Sequence, residues 1–132
     1  GFRAYQRSKL ANVLFSNELA GRIDRTDRSI TSNAFHPGAI PGSGFARFLP
    51  GPLPRLFAAL GRLPMTTTVA EGAATAVYLA AAPQVEGVSG QYFSDCESET
   101  PSKAARDTTT QRRLWAESAT LLDIEEPLAD TS

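Results

Sequence analysis

"YQRSKLANVLFSNELAGRIDRTDRSITSNAFHPG" (residues 5–38) sets a helical pattern directly before a strand pattern. Ala11, Phe15, Leu19 and Ile23 recur every four residues, and Leu10, Val13 and Leu14 form a second apolar row. Both rows fit the helical period, so the spacing predicts a helix from residue 4 to about 23 with a wide apolar surface, packed on two sides. Gly21 and the polar run "RIDRTDRS" are its expected end. "SITSNAF" (29–35) alternates at Ile30, Ser32 and Ala34, as a short strand does, and stops at Pro37 and Gly38.

The rest of the chain repeats the alternation of helix and strand. Residues 39–66 read as irregular, with a helical turn or two between 52 and 61: six prolines and five glycines fall in 37–64. A loop of that length in a compact domain is expected to be functional. "TTVAEGAATAVYLAAA" (67–82) predicts a second helix, capped by Thr68 and Glu71, apolar almost all round and so buried on most sides. Pro83 ends it, and "GVSGQYFSD" (87–95) predicts a second strand. Residues 98–108 read as polar loop. Thr108 and Gln111 repeat the capping pattern, and Leu114, Trp115, Ser118, Leu121 and Leu122 make one stripe on a last helix. Residues 125–132 read as a mobile acidic tail. Strands alternating with helices predict a doubly wound parallel α/β sheet. Two strands alone make a poorly supported sheet with exposed edges, which points to a fragment of a larger domain.

Composition narrows the function. The chain has 132 residues, 42% of them apolar, enough for the core of one domain. Its 13 basic and 14 acidic residues show no basic face for nucleic acid, and the adjacent Arg112 and Arg113 read as a solvated helix face. One cysteine and one histidine allow no internal disulfide and no structural zinc site, so no metal is expected. No run approaches the ~20 apolar residues of a membrane-spanning helix, and residues 1–20 do not read as a signal peptide. A reducing, cytoplasmic location is the expectation.

The residues that carry chemistry are Tyr5 and Lys9, four apart and therefore on one helical face. A phenol is a poor base at neutral pH, and an ammonium one turn away favours its ionised form. The pair is a candidate for proton transfer to or from an alcohol or carbonyl oxygen. Tyrosine and lysine at this spacing also occur on helices by chance, so the spacing alone leaves both readings open.

The surrounding sequence narrows them. "YQRSKLANVLFSNELA" resembles the active-site helix of the short-chain dehydrogenase/reductase family, whose pattern is Tyr-x-x-x-Lys (YxxxK) with a small residue, here Ser8, before the lysine. "SNAFHPGAI" resembles that family's strand and its Pro-Gly turn. "TTVAEGAATAVYLAAAPQVEGVSGQYFSDCE" and "RLWAESATLLDI" resemble the rear of its retinol-dehydrogenase-like branch, and "PGAIPGSGFAR" is also similar to light-dependent protochlorophyllide reductases. The resemblance covers nearly all of residues 3–124, in the family's order.

The resemblance implies the C-terminal half of a Rossmann-type domain over residues 1–124 that exchanges hydride with a nicotinamide cofactor, NADP(H) ahead of NAD(H). Tyr5 and Lys9 are its implied catalytic and cofactor-binding residues, Lys9 bonding the nicotinamide ribose. Pro37, Gly38 and Ile40 are implied to lie along the carboxamide end. Many relatives carry a threonine four residues after the turn glycine; this chain has Gly42 there, and Ser43 is the candidate replacement. Phe45 and Phe48 are implied substrate contacts in a lid over a small lipophilic alcohol or carbonyl compound, with Arg47 a candidate for an acidic substrate group. In relatives the first helix often packs on a partner subunit, so a homo-oligomer through it is a further expectation. His36 reads as structural, Cys96 as a packed thiol and Trp115 as a core anchor. The glycine-rich phosphate loop, the residues that choose the nucleotide and the usual active-site serine and asparagine are not in this chain, so the fragment alone is expected to be inactive. The alternative is a truncated, non-catalytic module for protein–protein contact. The coding sequence immediately before Gly1 separates the two: an in-frame glycine-rich turn favours the enzyme.

Overall fold

The structure, a computed structural model, describes residues 1–26, 28–38, 52 and 69–128. Among these, helix α1 spans Phe2–Ile23, strand β1 Ala34–His36, helix α2 Val69–Ala81, a single 3-10 turn Pro83–Val85, strand β2 Tyr92–Ser94, strand β3 Glu97–Glu99 and helix α3 Thr108–Leu122. The chain is α/β, as its pattern predicts. β1 and β2 pair in parallel, Ala34 opposite Tyr92 and His36 opposite Ser94. The sheet is nevertheless mixed: β3 adds an antiparallel strand beside β2, in a stretch expected to be mostly loop.

The two-residue hairpin Asp95–Cys96 that makes β3 possible carries no glycine. Both residues take left-handed backbone, φ 49° and 63°, as a primed hairpin turn requires. α2 holds the turn in place. Thr75, 2% exposed, accepts the Cys96 amide at 3.1 Å on its hydroxyl oxygen. A β-turn signal is normally read from Asn-Gly or Asp-Gly; tertiary support replaces it here. Across the hairpin Tyr92 faces Glu99; burial first, and then that carboxylate, pushes the phenol of Tyr92 above its usual range.

α1 is as long as its spacing predicts, but Gly21 does not end it. The stop is the turn at 24–26, where the Thr26 amide and hydroxyl both donate to the Ile23 carbonyl, at 2.8 and 2.7 Å. Gly21 lies inside the helix, and a Cβ built there meets nothing within 4 Å. Gly21→Ala is therefore expected to stabilise the protein by about 0.5–1 kcal/mol, the helical cost of glycine, read as a raised urea midpoint.

Burial follows partners more than composition. On α1, Leu14, Ala20 and Ile23 are buried, whereas Phe2 and Phe15 stay about two-fifths exposed. The second side of its apolar surface is thus only partly covered among the described residues. α2 is less buried than its apolar sequence predicts: Gly72 and Thr75 are buried, while Val77 and most of the alanines face out. Its alanines serve helix propensity more than packing. The Thr68 half of its expected cap lies outside the described residues.

The last helix departs twice from expectation. Its cap is Asp107, one residue earlier than predicted, whose carboxylate accepts the amides of Thr109 and Thr110 and the Thr110 hydroxyl. Those bonds, the Thr110 hydroxyl foremost, hold its carboxyl below the usual carboxylate range. Gln111 is not the reciprocal partner; it is buried and donates to the Ala105 carbonyl at 2.8 Å. The buried stripe is Gln111, Trp115 and Ala119, packed against α1. Leu121 and Leu122 are 85% and 69% exposed. Leu121 sits well round the helix from Trp115; Leu122 shares its face, but nothing among the described residues covers that last turn.

Candidate active site

Tyr5 lies in the first turn of α1, its amide donating to the Gly1 carbonyl at 3.2 Å. Tyr5 is half-buried and Lys9 is exposed. One helical turn separates them, and the Lys9 Nζ sits 5.5 Å from the centroid of the Tyr5 ring. The two heads therefore share one side of the helix, within the range of a cation–π contact. Ser8 turns back, its hydroxyl donating to the Tyr5 carbonyl at 2.7 Å, which leaves the space beside Lys9 free of a large side chain.

A network of small polar residues sets where this end of α1 lies. The hydroxyls of Ser16 and Ser32 meet at 2.9 Å, and Ser32 also donates to the Ser16 carbonyl at 3.1 Å. The Ser32 amide donates to the Ser89 hydroxyl and its carbonyl accepts from Gly90. Asn33 bridges the Val88 carbonyl and the Gln91 amide. These bonds pin α1 to the entry of β1 and β1 to the entry of β2. After α1 ends at Ile23, Ser32 thus lies back beside Ser16. From the Ser16–Ser32 contact, Lys9 and Tyr5 lie about 10 and 16 Å along the helix. β1 runs on from that contact to His36 and ends before Pro37 and Gly38. The Pro37–Gly38 turn follows the carboxyl end of β1, the end of a parallel strand at which open α/β sheets bind ligands.

Gly38 takes φ 76°, the left-handed region open to glycine at low cost, so the backbone there turns without a side chain in the way. His36 ends β1 by pairing with Ser94, and its side chain is exposed. Ile40, Ser43, Phe45, Arg47 and Phe48 lie outside the described residues. An open cleft of about 460 Å³, lined by Ile23, Arg28, Ile30, Glu86 and Ser89 among others, lies at the far end of α1 and is separate from this site. Among the described residues no group of three or more histidine, cysteine or acidic side chains gathers, and no helix is long and apolar enough to cross a membrane.

The serine–asparagine network was not anticipated. Its signal was present, since "SITSN" and "GVSGQ" place small hydroxyls and an amide beside strand entries, but alternation alone does not say which of them pair.

Known proteins similar to this chain share one chemistry in their names. It is 47% identical over 119 residues to the WW domain-containing oxidoreductase of Pongo abelii, covering 90% of this chain and 28% of that protein. It is 44% identical over 113 residues to human retinol dehydrogenase 14, 84% of this chain and 32% of that one. It is 39% identical over 123 residues to the chloroplastic short-chain dehydrogenase TIC 32 B of Brassica napus, 92% of this chain and 37% of that one. The kinship with the short-chain dehydrogenase/reductase family, in its retinol-dehydrogenase-like branch, is thereby shown over the chain's own length. The chain spans about a third of the length of the curated relatives it matches. No family model and no solved structure matches it.

Proposed function

We propose that this chain is the C-terminal part of a Rossmann-type oxidoreductase that moves hydride between a nicotinamide cofactor and an alcohol or carbonyl group. The observation that carries the reading is the Tyr5–Lys9 pair on one side of α1, 5.5 Å from ammonium to ring. The names of the similar proteins support the reaction class.

The residues present fit such a cofactor. Gly38 offers bare backbone for close approach, and the exposed Lys9 ammonium offers three donors for ribose hydroxyls. Tyr5, Lys9, Pro37 and Gly38 would hold its nicotinamide end, and Ile40 and Ser43 are proposed as further cofactor contacts. The bound nicotinamide supplies hydride chemistry. Tyr5 gives its phenolic proton to the substrate oxygen in reduction and takes it in oxidation. Lys9 keeps its ammonium one helical turn away, 5.5 Å from the Tyr5 ring. Phe45 and Phe48 are the proposed contacts of a small lipophilic substrate, and NADP(H) is the favoured nucleotide.

The test is an assay of the full-length protein with NADPH and NADH against lipophilic aldehydes and ketones, following the absorbance of the reduced nicotinamide. Substrate-dependent oxidation, faster with NADPH, is the expected result. Tight cofactor binding without turnover of any carbonyl or alcohol would overturn the catalytic reading.

A further inference from the structure

The far end of α1 carries a second arrangement, independent of the catalytic reading. Arg22 is 10% exposed at its side chain and uses every edge of its guanidinium. Its Nε donates to Glu18 Oε1 at 2.8 Å, Nη2 to Glu126 Oε1 at 2.6 Å and Nη1 to the Leu128 carbonyl at 3.2 Å. The guanidinium also lies over the Trp115 ring, 4.9 Å from its centroid. One side chain thus joins α1, α3 and the segment that follows α3.

That segment is turned back by its own backbone. Asp123 takes φ 51° and closes α3, with the Ile124 amide donating to the Ala119 carbonyl at 3.2 Å. Leu128 takes φ 55°, a conformation that a bulky residue keeps where its surroundings hold it. Glu126, between them, is 39% exposed at its side chain, so water and salt reach its half of the ion pair. Glu18, at 11%, is shielded.

We propose that residues 124–128 are a latch, closed on Arg22 through the Glu126 carboxylate and the Leu128 carbonyl, that clamps the α1–α3 seam and opens with rising salt while the rest of the fold stays intact. The inner half, Glu18–Arg22–Trp115, is shielded and stays. The outer half is screened and yields first. Opening frees the Nη edge of Arg22 without exposing the aromatic core beneath it. Such local opening, below the cost of global unfolding, is the ordinary behaviour of chain segments held by few contacts.

Hydrogen–deuterium exchange of the full-length protein, resolved to peptides, tests this. In low salt the amides of Asp123 and Ile124, which donate to the Thr120 and Ala119 carbonyls at the root of the latch, are expected to make the 123–128 peptide exchange more slowly than unprotected chain. Raising NaCl from about 0.05 M to about 0.5 M should speed exchange there by about two- to five-fold and leave 69–99 unchanged. Glu126→Gln should give the same acceleration at low salt and lose the salt response. Arg22→Lys, which keeps the charge but loses the fork, should fall between the two. Unprotected exchange of 123–128 in the wild-type protein at low salt, or a Glu126→Gln protein indistinguishable from wild type, would overturn the latch. The salt series needs no variant, so a folding defect in either substitution leaves the test standing.

Discussion

Tyr5→Phe, in the full-length protein, is expected to lower kcat by about 10²–10⁴-fold, the usual contribution of a positioned acid–base group. The substitution removes one oxygen and keeps the ring. The ring is what the Lys9 ammonium lies near, at 5.5 Å, so the local packing of α1 should persist. Cofactor affinity should therefore change little, and the loss should fall on kcat. Lys9→Met gives the complementary pattern: it removes the proposed ribose donor and the charge 5.5 Å from the Tyr5 ring, so it should weaken cofactor binding and slow turnover together. Steady-state kinetics with cofactor titration on both variants separates the roles. A Phe variant that turns over at the wild-type rate removes Tyr5 from the chemistry, whatever the relatives do.

The helices of this fold were legible because periodicity is a local property. α1 could be drawn from Ala11, Phe15, Leu19 and Ile23 within two residues of its observed start, and the parallel pairing of two strands followed from their alternation with helices. What escaped the sequence was set by contacts far along the chain. β3 exists because Thr75, on a different element, accepts the Cys96 amide and steadies a turn with no glycine. Strand β1 starts late, at Ala34, because Ser32 and Asn33 spend their hydrogen bonds on Ser16, Ser89 and residues 88–91 instead of on a regular ladder. The candidate site shows the same division. Tyr5 and Lys9 share a face by helical spacing alone, so the sequence sufficed for the pair. The Ser16–Ser32 contact that ties α1 to the entry of β1 is announced by no local pattern.

The seam between α1 and α3 should carry the largest effect on stability. Trp115 is 5% exposed, stacks on Phe15 with ring centroids 4.9 Å apart and lies under the Arg22 guanidinium. Trp115→Ala is expected to destabilise the full-length protein by about 3–5 kcal/mol, as large aromatic truncations in packed sites do. Against a whole stability of about 5–15 kcal/mol, that loss should show as a large fall in the urea midpoint. The indole also brings a cost. Its Nε1 is buried and finds no hydrogen-bond partner among the described residues. Trp115→Phe deletes that orphan donor while keeping a ring against Phe15, so part of its packing loss is offset by about 1–3 kcal/mol. The Phe variant should therefore lie closer to wild type than to the Ala variant. If instead Phe and Ala lower the midpoint equally, the ring against Phe15 adds nothing to the seam, since both variants delete the indole nitrogen alike. If neither moves it, Trp115 is not the anchor of this interface, and the packing of α1 on α3 must rest on Leu14, Ala20 and Ala119.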